Sequence, residues 1–80
     1  MKVFLVIYMM GKISGTVGPL PGGMYACMGE ALDLNRQAHH VSQTGIGKGG
    51  RKLTDEEVER VASLQFKCEY HVTRPKNNYP

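Results

Sequence analysis

The sequence predicts a small α+β domain, in which two helices pack on one face of a sheet of two to three strands. Residues 3–10 form an apolar run rich in the side chains that favour strands. Residues 24–38 and 54–64 repeat apolar side chains at spacings of three and four, which is one face of a helix. Residues 66–73 alternate apolar with polar side chains, as a half-buried strand does. The predicted element order is therefore β(β)ααβ.

Length and composition restrict the classes of protein to which this chain can belong. Its 80 residues suffice for a single domain, residues 1–80, and its 41% hydrophobic content is that of a folding chain. The longest apolar run has eight residues, whereas a membrane-spanning helix needs about 20. We therefore expect no membrane partner. A net charge of +3 is weak for a nucleic-acid-binding protein, so nucleic acid is an unfavoured partner. We also expect the protein to be a monomer.

The boundaries of the predicted elements follow from apolar periodicity and from the Gly and Pro residues between the elements. We predict a strand at 2–10, a turn-rich stretch or short edge strand at 11–23, a helix at 24–38, a flexible basic loop at 39–52, a helix at 54–64, a strand at 65–74 and a tail at 75–80. Met1 and Lys2 followed by an apolar run also resemble the start of a secretory signal. No small-residue cleavage site follows, so a central strand is the favoured interpretation.

The start of the second helix has the clearest local signal in the chain. Thr54 followed by Glu57 is the pattern of a capping box, in which each side chain binds a main-chain N–H at the helix start. Leu53 and Val58 have the spacing of a hydrophobic staple around that cap. Acidic residues in the first turn also suit the positive end of the helix dipole.

Two groups of opposite charge follow each other directly between residues 48 and 59. Both are candidate partner-binding sites: the basic group is Lys48, Arg51 and Lys52, and the acidic group is Asp55, Glu56, Glu57 and Glu59. The acidic group also has a structural explanation in the helix start. For the basic group, a solvated connector is the favoured interpretation over a phosphate or acidic-surface contact, because no aromatic residue is interleaved for base stacking.

The two cysteines are predicted on inward faces of neighbouring elements. Cys27 lies on the apolar stripe of the first helix and Cys68 on the inward side of the last strand, with Phe66, Tyr70 and Val72. The sequence leaves two alternatives for these cysteines. They form a disulfide that closes a loop of about 40 residues, or they are a pair of buried thiols.

No spacing in the chain favours a metal site or a catalytic set. Cys68 and His71 point to opposite faces of a strand, while His39 and His40 are adjacent and diverge. We therefore expect no enzyme activity, no small-molecule substrate, no metal and no cofactor.

Three segments follow each other in a distinctive order: Gly18-Pro19-Leu20-Pro21, then Cys27 and Ala31 in a helix ending near Asn35, then residues 66–75, which read FKCEYHVTRP. In this order the chain resembles small phage- and prophage-encoded proteins. Among the members of that class with known functions, the chain is most similar to anti-CRISPR inhibitors.

The resemblance implies a non-enzymatic inhibitor that docks on a Cas effector in the cytoplasm of the infected bacterial host. The implied target is a type I Cascade surveillance complex, with type I-C as the suggested subtype, and the implied effect is a block of target DNA recruitment. One alternative is a secreted or periplasmic disulfide-bonded domain, and another is a weak nucleic-acid-binding accessory protein that uses the basic loop.

Overall fold

The computed structural model describes residues 1–77 and confirms the α+β class. Its elements are β1 (Lys2–Met9), β2 (Lys12–Val17), α1 (Gly23–Thr44), a 3₁₀ turn (Lys48–Gly50), α2 (Asp55–Ser63) and β3 (Gln65–His71). The strands form one antiparallel sheet in the order β2-β1-β3. The most apolar strand is thus the central one, as the apolar run predicts.

Helix α1 covers one face of the sheet and creates the main core. Val3 and Leu5 of β1 are buried there against Cys27 and Ala31 of α1, and the core is completed by partly buried apolar side chains. Those side chains are Leu20, Met24, Leu34, Phe66 and Cys68. The predicted helical stripe therefore faces the sheet.

Helix α2 packs beside the second half of α1. Apolar side chains from α1, α2, the connecting loop and β3 line one cavity of about 300 Å³, among them Leu34, Val41, Leu53, Val61 and Phe66. This second apolar cluster is what holds α2 and the preceding loop on the helix side of the molecule.

The central strand is also buried on the opposite face of the sheet, although none of the helices within residues 1–77 lies there. Phe4 and Val6 of β1 alternate with the core residues, yet they are only 1% and 0% exposed. The backbone of Gly18 lies against the ring of Phe4, because a Cβ added at Gly18 would be 3.3 Å from that ring. The guanidinium of Arg74 lies over the same ring at 5.7 Å. The last strand is thus followed by a segment that crosses back over this face.

Helix α1 is longer than the sequence predicts, so the predicted bounds of 24–38 are wrong. It begins at Gly23 and continues to Thr44, where Gly45 adopts φ 70° and donates its N–H to the carbonyl of Val41. The additional turns are stabilised because Val41 packs in the cavity beneath α2. The hydroxyl of Thr44 also donates to the carbonyl of His40 at 3.1 Å.

The remainder of the predicted flexible loop at 39–52 has defined hydrogen bonds. The N–H of Gly47 donates to the carbonyl of Arg51 at 2.6 Å, and the N–H of Leu53 donates to that of Gly45 at 2.8 Å. A short bridge pairs Ile46 with Lys52. The loop is therefore a compact turn.

The observed ends of the strands differ by a few residues from the predicted ones. The first strand stops at Met9, because Met10 has φ 53° in the turn to β2. The turn-rich stretch contains the short edge strand β2. The last strand ends at His71 rather than at residue 74, and a bend at 72–73 carries the chain over the second face of the sheet. Of the predicted tail, residues 78–80 lie outside the described residues.

Candidate protein-docking surface

The capping box predicted at the start of α2 is present. The Thr54 hydroxyl accepts from the N–H of Glu57 at 3.1 Å, and the Glu57 carboxylate accepts from the N–H of Thr54 at 3.0 Å. The carboxylate is therefore held in one orientation at the helix start.

An ion pair joins the predicted basic and acidic groups. The guanidinium of Arg51 approaches the Glu57 carboxylate with both terminal nitrogens, at 3.0 and 3.4 Å. Paired contacts of this kind constrain geometry better than single ones. The loop and the helix start thus form one connected surface, which we call the charged surface: Lys48, Arg51, Lys52, Asp55, Glu56, Glu57 and Glu59.

The pKa of Glu57 is lowered from 4.5 to about 2, first by the hydrogen bond from the main chain of Thr54 and then by that from Arg51. Because the pKa is lower in the folded than in the unfolded chain, this carboxylate stabilises the fold above pH 4.5 and loses that effect as the pH falls towards 2.

We therefore expect Glu57→Gln to flatten the fall in the free energy of unfolding across this pH window, as measured by urea denaturation at a series of pH values. Glu30→Gln, which changes an exposed residue on α1, is the matched control and should keep the wild-type slope. An unchanged slope in Glu57→Gln would contradict the assignment.

The four predicted acidic residues differ in what they can offer a partner. Glu57 is committed to the cap and to Arg51, and Glu56 accepts from Arg60 at 2.6 Å. Asp55 and Glu59 are exposed and form no ion pair within residues 1–77. These two carboxylates are the negative groups that remain available to a partner.

The basic side of the charged surface borders an open cleft. Lys48 and Lys52 are exposed and likewise form no ion pair within the described part of the chain. A cleft of about 640 Å³ lies between Lys48 and the end of α1, where His40 and Val41 contribute to its lining. Of these two ammonium groups, that of Lys48 therefore lies beside a concave surface.

A polar cluster on the second face of the sheet was not predicted from the sequence. The Tyr8 hydroxyl donates to the Glu69 carboxylate at 2.5 Å, and His71 lies 2.6 Å from the other oxygen of that carboxylate. The hydrogen bond to Glu69, with burial, raises the pKa of Tyr8. Burial raises the pKa of Glu69, but the hydrogen bonds from Tyr8 and His71 outweigh it and lower the pKa overall. The ammonium of Lys67 lies 5.5 Å from the Tyr8 ring.

The two cysteines form a disulfide between α1 and β3. Cys27 is fully buried, and the Cα atoms of Cys27 and Cys68 are 6.0 Å apart. Of the two alternatives left open by the sequence, the structure has the bonded one. The disulfide therefore cross-links the helix to the last strand.

Neither a metal site nor a membrane span is found in the described part of the chain. No group of three or more His, Cys, Asp or Glu residues among residues 1–77 is arranged to hold a metal ion. None of the helices there is both long and apolar enough to cross a bilayer. The chain matches no protein-family model, no curated protein and no solved structure.

Proposed function

We propose that this protein is a non-enzymatic binding domain that docks on a partner protein through the charged surface. The observation that carries this proposal is the Arg51–Glu57 ion pair, which holds the basic loop and the acidic helix start together in one orientation. A preorganised surface with both signs of charge favours rapid and selective association with a partner of complementary pattern.

The resemblance to anti-CRISPR inhibitors supplies the partner to test, a type I Cascade effector, and implies that the inhibitor acts in the cytoplasm of an infected bacterium. Such a complex binds DNA along surfaces rich in lysine and arginine, because neutralisation of phosphate dominates its affinity for DNA. Asp55 and Glu59 would occupy part of that basic path. DNA recruitment would then be blocked by charge and by bulk, without any reaction.

We expect the double variant Asp55→Lys with Glu59→Lys to bind a purified type I Cascade complex at least about tenfold more weakly than the wild type. This variant leaves Glu56 and Glu57 in place, so the capping box and its ion pair persist. The measurement is a pull-down titration, followed by competition with target DNA. Binding should also weaken as salt is raised from 0.05 to about 0.3 M, because exposed charges are screened.

Two further variants complete this test. Glu30→Lys makes the same kind of charge reversal on exposed α1 and should bind like the wild type. Lys48→Glu with Lys52→Glu reports whether the basic side contributes. If neither double variant weakens binding, or if the wild type does not bind the effector at all, this function is wrong for the chain.

A second candidate is a secreted or periplasmic domain, and the Cys27–Cys68 disulfide favours it. Disulfides persist in oxidising compartments and are rare in the reducing cytosol. Mass spectrometry of the native protein distinguishes the two candidates. Retained Met1 together with two free thiols would support the cytoplasmic inhibitor. A shortened amino end would support export, together with a mass that is about 2 Da lower per chain because oxidation removes two thiol hydrogens.

A further inference from the structure

The outer side of α1 carries an apolar stripe that the rest of residues 1–77 leaves exposed. Tyr25, Met28 and Leu32 are 91%, 58% and 55% exposed, and they line one shallow depression together with Gly29. Their spacings of three and four place them on one side of the helix. Single exposed apolar side chains are ordinary, whereas a contiguous set is typical of an interaction surface.

The stripe continues onto the free edge of the sheet. A groove of about 470 Å³ between α1 and β3 is lined by Met28 and Leu32 from the helix and by Phe66 and Cys68 from the strand. Farther along β3, Tyr70 is also exposed. Within residues 1–77, β3 pairs with no strand except β1, so its other side presents main-chain groups that a further strand can bind.

Asn35 shows which main-chain groups of β3 face outward. Its side-chain amide accepts from the N–H of Phe66 and donates to the carbonyl of Phe66, both at 3.0 Å. Main-chain groups alternate in direction along a strand, so those of Cys68 and Tyr70 face outward as well. Asn35 therefore closes the edge at Phe66, and the edge is open at Cys68 and Tyr70.

We propose that a second copy of this chain pairs with the open edge of β3, antiparallel about a two-fold axis at Tyr70, and joins two sheets into one of six strands. In this register Tyr70 lies opposite Tyr70 of the second copy, and Cys68 lies opposite Val72 of the second copy. Glu69 lies opposite His71 of the second copy, which gives the carboxylate an imidazole partner in addition to the one it contacts at 2.6 Å within its own chain.

The other two-fold registers are less favourable. An axis at Lys67 or Glu69 places like charges directly opposite each other, which destabilises a strand pair. An axis at Cys68 needs the main-chain groups of Phe66 that α1 already holds. An axis at His71 places the two imidazoles opposite each other and puts Glu69 opposite Thr73, so it provides no imidazole partner for the carboxylate.

A second copy fits this surface because each chain supplies the same edge and the same stripe. A two-fold interface uses one patch twice, so the patch must complement itself, as the Glu69–His71 pairing does. The axis also brings the two α1 stripes to the same side of the joined sheet. This proposal departs from the monomer expected from the sequence. It uses α1 and β3, whereas the proposed function uses the loop and α2.

The test is the molar mass of the oxidised protein between about 1 and 200 µM, measured by sedimentation equilibrium. We expect the mass to rise from 8.9 kDa towards twice that value as concentration increases. A non-reducing denaturing gel should show single chains, because the association is not covalent. Tyr70→Pro removes one outward N–H that β1 does not use, so it should weaken the dimer at least about tenfold while the fold persists.

Met28→Lys is the second variant and leaves the strand unchanged. It places a charge on the exposed stripe and should also weaken the dimer at least about tenfold, whereas Glu30→Lys on the same helix should not. A wild type that stays at 8.9 kDa up to 200 µM would overturn the proposal. So would a covalent dimer, or a dimer whose dissociation constant is unchanged in both variants.

Discussion

Replacing Cys27 and Cys68 together with alanine is expected to lower the free energy of unfolding by about 3–4 kcal/mol. The disulfide links residues 41 positions apart, so its loss greatly enlarges the set of conformations open to the unfolded chain. Domains of this size have total stabilities near 5–15 kcal/mol, so the loss is a large fraction of the whole. The expected fall in melting temperature is about 12–30 °C.

Urea unfolding at low micromolar concentration measures this effect on the oxidised wild type, the reduced wild type and the double variant. The reduced wild type retains both side chains, so it separates the loss of the cross-link from the loss of packing around the buried Cys27. Ser42→Ala, which changes a residue of α1 remote from the disulfide, should stay close to the oxidised wild type. A double variant within about 1 kcal/mol of the wild type would contradict a stabilising role for the bond.

Features encoded by neighbouring residues could be predicted from the sequence. The capping box of Thr54 and Glu57 depends on a spacing of three residues, and its two hydrogen bonds are both present. The central position of the first strand likewise follows from the apolar run itself. Local signals of this kind need no knowledge of which distant residues meet.

The end of α1 could not be predicted, because it depends on residues far along the chain. His39 and His40 interrupt the apolar pattern, which predicted an end at residue 38. The helix continues because Val41 packs in a cavity whose other walls come from α2 and the loop, Val61 and Leu53 among them. Only the assembled fold supplies that contact.

The burial of side chains on the second face of the sheet could not be predicted either, because it too depends on residues far apart in the chain. Alternation in β3 predicted that Tyr70 and Val72 point inward, yet both are exposed, because the buried contacts of α1 with β3 are made by Phe66 and Cys68. Glu69 and His71 lie on the other face, half-buried, and there they contact each other and Tyr8. Their proximity depends on the register between β1 and β3, which alternation does not reveal.

The sequence predicts a basic group and an acidic group, and in the structure the ion pair between Arg51 and Glu57 joins the two into one charged surface. The closeness of residues 48–59 in the sequence indicated two charged groups, but it could not show that Arg51 and Glu57 form an ion pair. Nor could it show that Glu56 pairs with Arg60. The structure thereby reduces the acidic candidates to the two carboxylates that no cation within residues 1–77 neutralises.

The burial of Phe4 leads to the second large expected effect. Phe4→Ala should lower the free energy of unfolding by about 3–5 kcal/mol, as expected for a fully buried aromatic ring. The ring is 1% exposed on a face without a helix. It packs edge-on against His71 at 6.2 Å, beneath Arg74 and against the backbone of Gly18. None of the helices within residues 1–77 lies on this face to refill the space that the ring would leave.

The residues that cover Phe4 should respond to its removal. Arg74 donates to the carbonyl and hydroxyl of Thr16, at 3.1 and 2.8 Å, and to the carbonyl of Gly18. A double-mutant cycle of Phe4→Leu with Arg74→Ala should therefore give a coupling free energy of about 0.5–1 kcal/mol. Val17→Ala, at an exposed position of β2, should change stability by less than about 0.5 kcal/mol. If Phe4→Ala costs no more than Val17→Ala, the face is open in solution and the segment after β3 does not close it.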